Sequence, residues 1–357
     1  MRIVQFLINQ YNSLTCRHHS KAAVEQNKPL ISRFPINLTL DEKKEIDDIW
    51  GFFPVKREWN YMYASTFKAT RGFDRRFVPS CCCYPYIIRA LNRTKEYEIL
   101  EHKGLTSLYL KDIRQPFAPL RSIHGVYYDA DFKPLKDDVW VDYLADINSK
   151  EELIVKQAVD SSCGKNIQFI PIGSSRRTIS EVLRGYKEDV VVQTILKQSA
   201  STSILNPTSV NTFRVSTLNL NGHISVVSIL IKAGGKGNKV DNIGGGHGGI
   251  MTGVNDDGRI ITESFNAIGE PVKLQFDEIP KYDISKLKEF AINAHRRLPQ
   301  LGLVGWDIAL DEEDQPVMIE ANMHWPGITI EQLVGGPFFA DRTDEVLQYV
   351  RRAMKIS

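Results

Sequence analysis

Two segments decide the fold: Gly305-Trp-Asp-Ile-Ala-Leu310 and Val317-Met-Ile-Glu-Ala-Asn-Met-His-Trp-Pro-Gly327. They belong to two apolar runs, residues 303–310 and 316–323, which are separated by the charged stretch 311–315. Two apolar runs on either side of a short polar turn are typical of an antiparallel β-hairpin. The sequence therefore predicts a hairpin here, around which the rest of the chain is organised.

The predicted hairpin brings three oxygen-bearing side chains together. If the chain folds back between Glu313 and Asp314, Asp307 lies almost opposite Glu320. Side chains alternate between the two faces of a strand, so Asp307, Glu320 and Asn322 emerge on the same face. Oxygen donors that are completed by water and phosphate suit Mg2+. These residues are a candidate magnesium site; the alternative is an acidic hairpin face that only contacts water.

The composition is that of an ordinary soluble globular protein. The 357 residues suit two or three packed subdomains, with 42% hydrophobic and 25% charged residues. A formal net charge of +2 gives no reason to expect nucleic acid as a partner. Five cysteines, three of them adjacent, argue for a reducing compartment rather than a disulfide scaffold. No signal-peptide core and no apolar stretch of roughly 20 residues is found, so we expect a cytoplasmic protein without a membrane span.

Residues 1–115 are predicted to be mostly helical. Apolar residues recur at three- and four-residue intervals in Asp41–Trp50 and in Tyr84–Leu100. Between these segments, residues 57–77 are rich in aromatic residues and arginines, which suits either a sugar or anion site or a packed domain edge. The proline-containing stretch Gln115–Pro119 then marks the entry into the next unit.

A lysine near the end of a short strand is a candidate phosphate ligand. Leu153-Ile-Val-Lys156 is followed by the turn Ser161-Ser-Cys-Gly-Lys-Asn166 and by a second apolar stretch, residues 167–172. Small turn residues let backbone N–H groups wrap around phosphate oxygens, and Lys156 would add a fixed positive charge. Lys103 stands at a predicted helix start, where the helix dipole disfavours a cation, and could be held there for an anion. The alternative is an ordinary hairpin turn with an exposed lysine.

The following segment combines a helix signal with an unusual strand. Thr178-Ile-Ser-Glu181 has capping-box spacing and predicts a helix that runs to Tyr186. In Asp189–Leu196, Gln193 stands alone amid aliphatic residues. Such a strand can clamp an adenine ring, with backbone groups at the edge of the ring and aliphatic side chains such as Ile195 on its faces. A core strand with one exposed glutamine is the alternative.

Arg214 is the third candidate cation. It lies within the β-prone run Val210-Asn-Thr-Phe-Arg-Val-Ser-Thr-Leu218, where a buried unpaired charge would be costly. A guanidinium aimed at phosphate or at a tetrahedral intermediate would explain it; the alternative is an arginine on the wet face of an edge strand. Further on, eight of the seventeen residues in Ala233–Gly249 are glycine, as in loops built for close backbone approach or for movement. His247 in this loop is interpreted as an exposed residue rather than as a catalytic one.

These motifs, taken in order, resemble the ATP-grasp superfamily: a lysine strand, a small-residue loop, an apolar segment with Gln, an arginine strand, and then Asp and Glu-x-Asn on paired strands. Residues 210–218, Val240-Asp-Asn242 with Gly248-Gly-Ile250, and the hairpin at 305–322 are similar to the sugar-transfer-associated ATP-grasp family. The resemblance covers about residues 100–335. The combined order is specific, whereas no single motif is.

The resemblance implies an α+β protein with the ATP-grasp fold, in which two α+β lobes clamp ATP. A mostly helical accessory domain, residues 1–115, would precede an N-lobe of residues 116–192. The C-lobe, residues 193–357, would carry the metal site. The implied cofactors are ATP and Mg2+, with Mn2+ as a substitute for Mg2+.

The resemblance also implies roles for individual residues. Those implied to bind ATP are Lys103, Lys156, Ser161, Ser162, Gly164, Gln193, Ile195, Asp307 and Glu320. The implied metal ligands are Asp307, Glu320 and Asn322. The implied substrate-binding residues are Arg214, Asp241, Asn242, Gly248 and Gly249. Arg214 and Lys156 are the catalytic candidates, because they would neutralise charge on the transferred phosphoryl group.

The implied activity is that of an ATP- and Mg2+-dependent ligase that forms a carbon–nitrogen bond through an acyl phosphate. Its partners would be a small-molecule or saccharide carboxylate and an amine donor. The family name points to amidation or aminoacylation of a sugar acid in surface polysaccharide biosynthesis. Two alternatives stay open: a kinase that phosphorylates a hydroxyl, for which the sequence offers no strong general base, and a nucleotide-binding protein without turnover.

Overall fold

The computed structural model describes residues 2–93, 97–136, 139–159, 166–240, 248–324 and 327–354. Its helices are α1 (Arg2–Ile31), α2 (Leu40–Trp50), α3 (Arg57–Arg71), α4 (Ser80–Cys82), α5 (Arg89–Leu91), α6 (Thr106–Tyr109), α7 (Val139–Asn148), α8 (Arg176–Arg184), α9 (Ala200–Ser203), α10 (Ile284–His295), α11 (Ile328–Gly335) and α12 (Thr343–Met354). A π-helix (Cys83–Ile88) joins α4 to α5, and 3-10 helices cover Lys103–Leu105 and Ala340–Arg342.

The strands form two sheets, and the described residues therefore belong to the α+β class that the resemblance implies. The strands are β1 (Leu120–Ile123), β2 (Val126–Tyr128), β3 (Leu153–Gln157), β4 (Ile167–Ile170), β5 (Val190–Thr194), β6 (Thr212–Leu220), β7 (His223–Ala233), β8 (Ile250–Val254), β9 (Ile260–Asn266), β10 (Pro271–Lys273), β11 (Leu303–Leu310) and β12 (Pro316–Asn322). Within the described part of the chain, no helix combines the length and the apolar character that crossing a membrane requires.

The N-terminal region is helical, as predicted, and packs around an apolar core. Trp50 at the end of α2 and Tyr63 and Phe67 of α3 are buried in it. A capping box begins α2: the Thr39 hydroxyl accepts a hydrogen bond from the Glu42 amide, and the Glu42 carboxylate accepts one from the Thr39 amide. The helix predicted near residues 41–50 is therefore confirmed.

The single helix predicted over Tyr84–Leu100 is wrong: a π-helix and a short α-helix cover the chain to Leu91, the helix is interrupted at Asn92, and Tyr97 is helical again beyond the undescribed residues 94–96. Asn92 has an extended backbone, and its side-chain amide donates hydrogen bonds of 2.6 Å to the carbonyls of Leu303 and Met323. These bonds connect the helical region to β11 and to the residue that follows β12. Tertiary contacts at Asn92 thus end the helix although the apolar periodicity continues.

The first sheet has the order β2-β1-β5-β3-β4, and all neighbouring strands are antiparallel. One face packs against α7 and α8 through a buried apolar cluster. Lys156 pairs with Val191 and Ile154 pairs with Gln193, so these four side chains share the opposite face. That face also meets the 3-10 helix Lys103–Leu105, which lies against β1 and β5.

The helix predicted from Thr178 to Tyr186 begins and ends slightly earlier. Ser175, rather than Thr178, is the cap of α8, because its hydroxyl accepts a hydrogen bond of 3.1 Å from the Thr178 amide. The helix then runs from Arg176 to Arg184. Both residues have capping side chains, and only the three-dimensional structure shows which of them begins the helix.

The second sheet has the order β10-β9-β8-β7-β6-β11-β12 and is antiparallel throughout. The hairpin predicted at residues 303–323 is confirmed as β11 and β12, with Asp307 opposite Glu320. Helix α10, which Asp283 caps, packs on one face through Leu287 and Ala291. Helix α11 packs on the other face, which by register also carries Arg214 and Asp307.

Candidate active site

Asp307 is the centre of a buried polar cluster on the second sheet. Its carboxylate accepts hydrogen bonds from Arg214 (Nε to Oδ1, 2.7 Å; Nη2 to Oδ2, 3.2 Å), from Lys232 (Nζ to Oδ2, 2.9 Å) and from Asn322 (Nδ2 to Oδ2, 3.2 Å). The register of the sheet produces this arrangement, since Arg214 lies directly opposite Asp307 on the neighbouring strand. Burial raises the pKa of Asp307, but Arg214 and Lys232 outweigh it, so the pKa lies well below its usual range.

A second ion pair connects the two sheets. Glu320, opposite Asp307, lies 3.0 Å from the Lys103 Nζ atom. Lys103 belongs to the 3-10 helix that packs on the first sheet, and its backbone amide donates to the Ala158 carbonyl at 2.9 Å, just past the end of β3. The predicted ATP ligand Lys103 and the predicted metal ligand Glu320 are therefore in direct contact.

The remaining predicted nucleotide ligands lie on the first sheet and at its exit. Lys156 is half-buried and Gln193 is buried, and they share the face that the 3-10 helix covers. Ile195 follows β5, and its amide donates to the Glu152 carbonyl at 3.3 Å. A cavity of about 650 Å³ lies beside Ile195 and is also lined by Phe117 from the entry to β1. Its lining combines these apolar side chains with charged ones, such as Lys197 and Glu313, and the apolar part is suited to a flat ring.

Several predicted residues lie outside the described part of the chain. They are Ser161, Ser162 and Gly164 of the small-residue turn, Asp241 and Asn242 of the glycine-rich loop, and His247. Gly248 and Gly249 lie immediately before β8; Gly248 is exposed and adopts a φ of +67°, a backbone conformation that favours glycine.

Two residues of the cluster were missed by the sequence analysis: Lys232 and Glu331. Lys232 ends the apolar run Ile229-Leu-Ile of β7, and Glu331 lies in the first turn of α11, which is buried along most of its length. A charged side chain inside an apolar element needs a buried partner, and this signal was present in both segments. It could not identify the partner, because β7, α11 and β11 are far apart in the sequence.

Glu331 is buried beside Arg214. Its Oε1 atom accepts a hydrogen bond of 3.4 Å from Nη1 of Arg214, whereas Oε2 accepts none from any residue that the structure describes. Burial raises the pKa of Glu331 to about 8, although Arg214 and Lys232 oppose this shift. Among the described residues, Arg214 thus contacts the carboxyl groups of both Asp307 and Glu331, and Asp307 is the closer.

The chemistry of the cluster is compatible with the predicted magnesium site. Among the described residues, no group of three His, Cys, Asp or Glu side chains is placed to hold a metal ion. Asp307, Glu320 and Asn322 instead offer two carboxylates and an amide, a hard oxygen set that leaves positions for water and phosphate, as Mg2+ prefers. In the structure the amide nitrogen of Asn322, rather than its oxygen, faces Asp307.

The two antiparallel sheets, connected by the Lys103–Glu320 ion pair, agree with the ATP-grasp fold that the resemblance implies. The chain belongs to the sugar-transfer associated ATP-grasp family, whose model matches residues 86–348. This match confirms the resemblance found in the sequence and the ATP-grasp fold that it implied. No curated protein matches the sequence.

Similar solved structures share little sequence with this chain. D-alanyl-alanine synthetase A from Vibrio cholerae is 13% identical with a TM-score of 0.44, over 73% of this chain and 67% of that one. Biotin carboxylase from Campylobacter jejuni is 12% identical with a TM-score of 0.43, over 73% and 48%. D-alanine–D-alanine ligase from Bacillus anthracis is 11% identical with a TM-score of 0.40, over 72% and 68%. The chain thus spans about half the length of the carboxylase, and similarities this distant assign no activity.

Replacing Glu331 with glutamine should make the protein relatively more stable as the pH rises. Folding raises the pKa of Glu331 from 4.5 to about 8, so its contribution to the free energy of unfolding is fully present below pH 4.5 and is lost toward pH 8. Glutamine does not titrate. The melting temperature of Glu331→Gln minus that of the natural protein should therefore increase between pH 5 and pH 9, by roughly 2–4 °C.

The matched control is Glu345→Gln. Glu345 is paired with Arg342 near the surface, and its pKa is lowered by that hydrogen bond, so it stays ionised from pH 5 to pH 9. The melting temperature of Glu345→Gln minus that of the natural protein should stay constant over this pH range. If the difference in melting temperature between Glu331→Gln and the natural protein is also constant from pH 5 to pH 9, Glu331 is ionised in the folded protein and the prediction is wrong.

Proposed function

We propose that this protein is an ATP- and Mg2+-dependent ligase that joins a carboxylate to an amine. The observation that carries the proposal is the charge cluster: Arg214 and Lys232 converge on buried Asp307, and Lys103, from the 3-10 helix on the first sheet, reaches Glu320 beside it. Family membership supports ATP as the nucleotide. A cluster of this composition, with several cations around paired carboxylates, suits the transfer of a phosphoryl group.

The proposed reaction begins when a substrate carboxylate oxygen attacks the γ-phosphorus of ATP. The bond from this phosphorus to the β–γ bridging oxygen breaks, ADP leaves, and an acyl phosphate remains. An amine then attacks the acyl carbon, phosphate leaves, and the nitrogen loses a proton to solvent. An ionised carboxylate needs no general base for the first step, so positioning and charge neutralisation suffice.

In this proposal different residues bind the phosphates, the adenine, Mg2+ and the acceptor substrate. Arg214, Lys232, Lys103 and Lys156 neutralise charge on the phosphates and the transferred group. Gln193 and Ile195 receive the adenine, while Ser161, Ser162 and Gly164 close over the phosphates. Asp307, Glu320 and Asn322 would hold Mg2+, which supplies charge neutralisation and orientation of the terminal phosphates when bound. Asp241, Asn242, Gly248 and Gly249 shape the acceptor side.

The proposed substrates follow from the family's description alone. An association with sugar transfer favours a sugar acid as the carboxylate and an amino acid or ammonia as the amine, in surface polysaccharide biosynthesis within the cytoplasm. We also propose three domains: a helical accessory domain of residues 1–115, an N-lobe of residues 116–192 and a C-lobe of residues 193–357.

Hydroxylamine tests the reaction directly. Incubated with ATP, Mg2+, hydroxylamine and a panel of sugar acids, the protein should form a hydroxamate with the acid that it activates, in step with ADP release. Hydroxylamine captures acyl phosphates and leaves phosphoesters intact, so a stable phosphorylated sugar would indicate a kinase instead. Glu320→Gln is the control and should abolish both products. ATP binding without ADP release across the panel would favour the nucleotide-binding alternative.

A further inference from the structure

Glu331 is a buried carboxylate to which the proposed reaction gives no role. It lies in the first turn of α11, with a side chain only 1% exposed, above the face of the second sheet that carries Asp307. Its neighbour Gln332 anchors the helix, since the Gln332 amide exchanges hydrogen bonds with the Val78 backbone at 2.8 and 3.0 Å. Glu331 points instead at Arg214. Gln332 thus anchors α11 to the N-terminal region, whereas Glu331 contacts the candidate active site.

The surroundings of Asp307 set a condition on metal binding. Its two oxygens already accept four hydrogen bonds, three of them from Arg214 and Lys232, whose charged ends lie within about 3 Å. A magnesium ion binds carboxylate oxygens at about 2.1 Å and repels cations at that range. Asp307 can become a ligand only if at least one of these cations changes partner.

Arg214 contacts a second carboxyl group, that of Glu331. Its side chain is only 10% exposed, so the guanidinium needs an acceptor within the protein. Nη1 of Arg214 already lies 3.4 Å from Glu331 Oε1, and Oε2 of Glu331 accepts no hydrogen bond from the described residues. A small rotation of the guanidinium toward Glu331 would replace the bonds to Asp307 with bonds to a carboxyl group whose Oε2 atom has acceptor capacity left.

We propose that Glu331 is a positioning residue that receives the Arg214 guanidinium when Asp307 turns to Mg2+. The inference rests on the proposed function, because it takes Asp307 as a metal ligand. Its consequence is that Arg214 stays fixed beside the transferred phosphoryl group while Asp307 is released. Without Glu331, Arg214 would compete with Mg2+ for Asp307.

The test measures ADP binding by calorimetry over a series of Mg2+ concentrations and in EDTA. In Glu331→Gln, the Mg2+ concentration that gives half of the gain in ADP affinity should rise on the order of 10-fold, as for residues that support a metal ligand. ADP affinity in EDTA should not change. Glu345→Gln, the same substitution away from the site, should match the natural protein in both measurements.

A double substitution separates a role through Arg214 from a general structural role. In the Arg214→Lys background, the further change Glu331→Gln should move the Mg2+ midpoint by less than about 2-fold, because the partner of Glu331 is already gone. If Glu331→Gln does not fold, Glu331→Asp replaces it: the shorter side chain withdraws the carboxylate from Arg214 and should raise the midpoint too.

The outcomes distinguish this inference from the proposed function. If Mg2+ does not strengthen ADP binding to the natural protein, the metal site of the proposed function is wrong and this inference falls with it. If Mg2+ strengthens binding equally in the natural protein and in Glu331→Gln, the proposed function stands and the role of Glu331 is refuted. Equal shifts in the natural and the Arg214→Lys backgrounds would also refute it, since they would show that Glu331 acts independently of Arg214.

Discussion

Replacing Arg214 with lysine is expected to lower the rate of ATP-dependent ligation by on the order of 100-fold, as removal of a transition-state charge partner does. Lysine keeps the positive charge that buried Asp307 requires, so the cluster stays neutralised and the protein should fold. What is lost is the planar fork, which contacts both oxygens of Asp307 and also Glu331. A point charge cannot make these contacts together, so it cannot be held in the same orientation.

Steady-state kinetics of ADP release check this expectation. The loss should appear mainly in kcat rather than in the KM for ATP, because an interaction realised in the transition state contributes little to ground-state binding. Arg259→Lys is the matched control: Arg259 pairs with Asp257 on the surface of the same sheet, and its replacement should leave kcat within about 2-fold. An unchanged kcat in Arg214→Lys would show that Arg214 does not take part in the reaction.

The hairpin could be predicted from the sequence because its information is local. Two apolar runs and a charged turn fix the fold-back point, and strand alternation then places Asp307 opposite Glu320, as observed. Asp283 as a helix cap is local in the same way. Where two local signals compete, as at Ser175 and Thr178, the sequence favours the wrong one.

The partners of Asp307 could not be predicted, because they depend on the order of strands in the sheet. Arg214 lies 93 residues before Asp307 and pairs with it only because β6 and β11 are neighbours. Lys232 reaches the same carboxylate from β7, and Glu331 reaches the cluster from a helix that folds back over the sheet. The family resemblance suggested the role of Arg214. For Lys232 and Glu331 the sequence indicated only that a buried charge would need a partner, because burying an unpaired charge is costly.

The two candidate metal carboxylates are expected to respond differently when each is neutralised. Asp307→Asn should abolish ADP release and also destabilise the protein by about 3–5 kcal/mol, since it leaves Arg214 and Lys232 buried without their closest carboxylate. Glu320 is 38% exposed and pairs with one lysine across the cleft. Glu320→Gln should therefore abolish ADP release while changing the free energy of unfolding by less than about 1 kcal/mol.

Urea unfolding and ADP release, measured on both variants, separate the two roles that Asp307 combines. Asp307 neutralises two buried cations and is also the proposed metal ligand, so a loss of activity in Asp307→Asn alone could follow from instability. Glu320→Gln removes the proposed ligand role without that cost, and an inactive but stable Glu320→Gln would therefore place the metal at this hairpin. If Glu320→Gln keeps its activity, the paired carboxylates do not hold the metal, and the Lys103–Glu320 pair serves only to connect the two sheets.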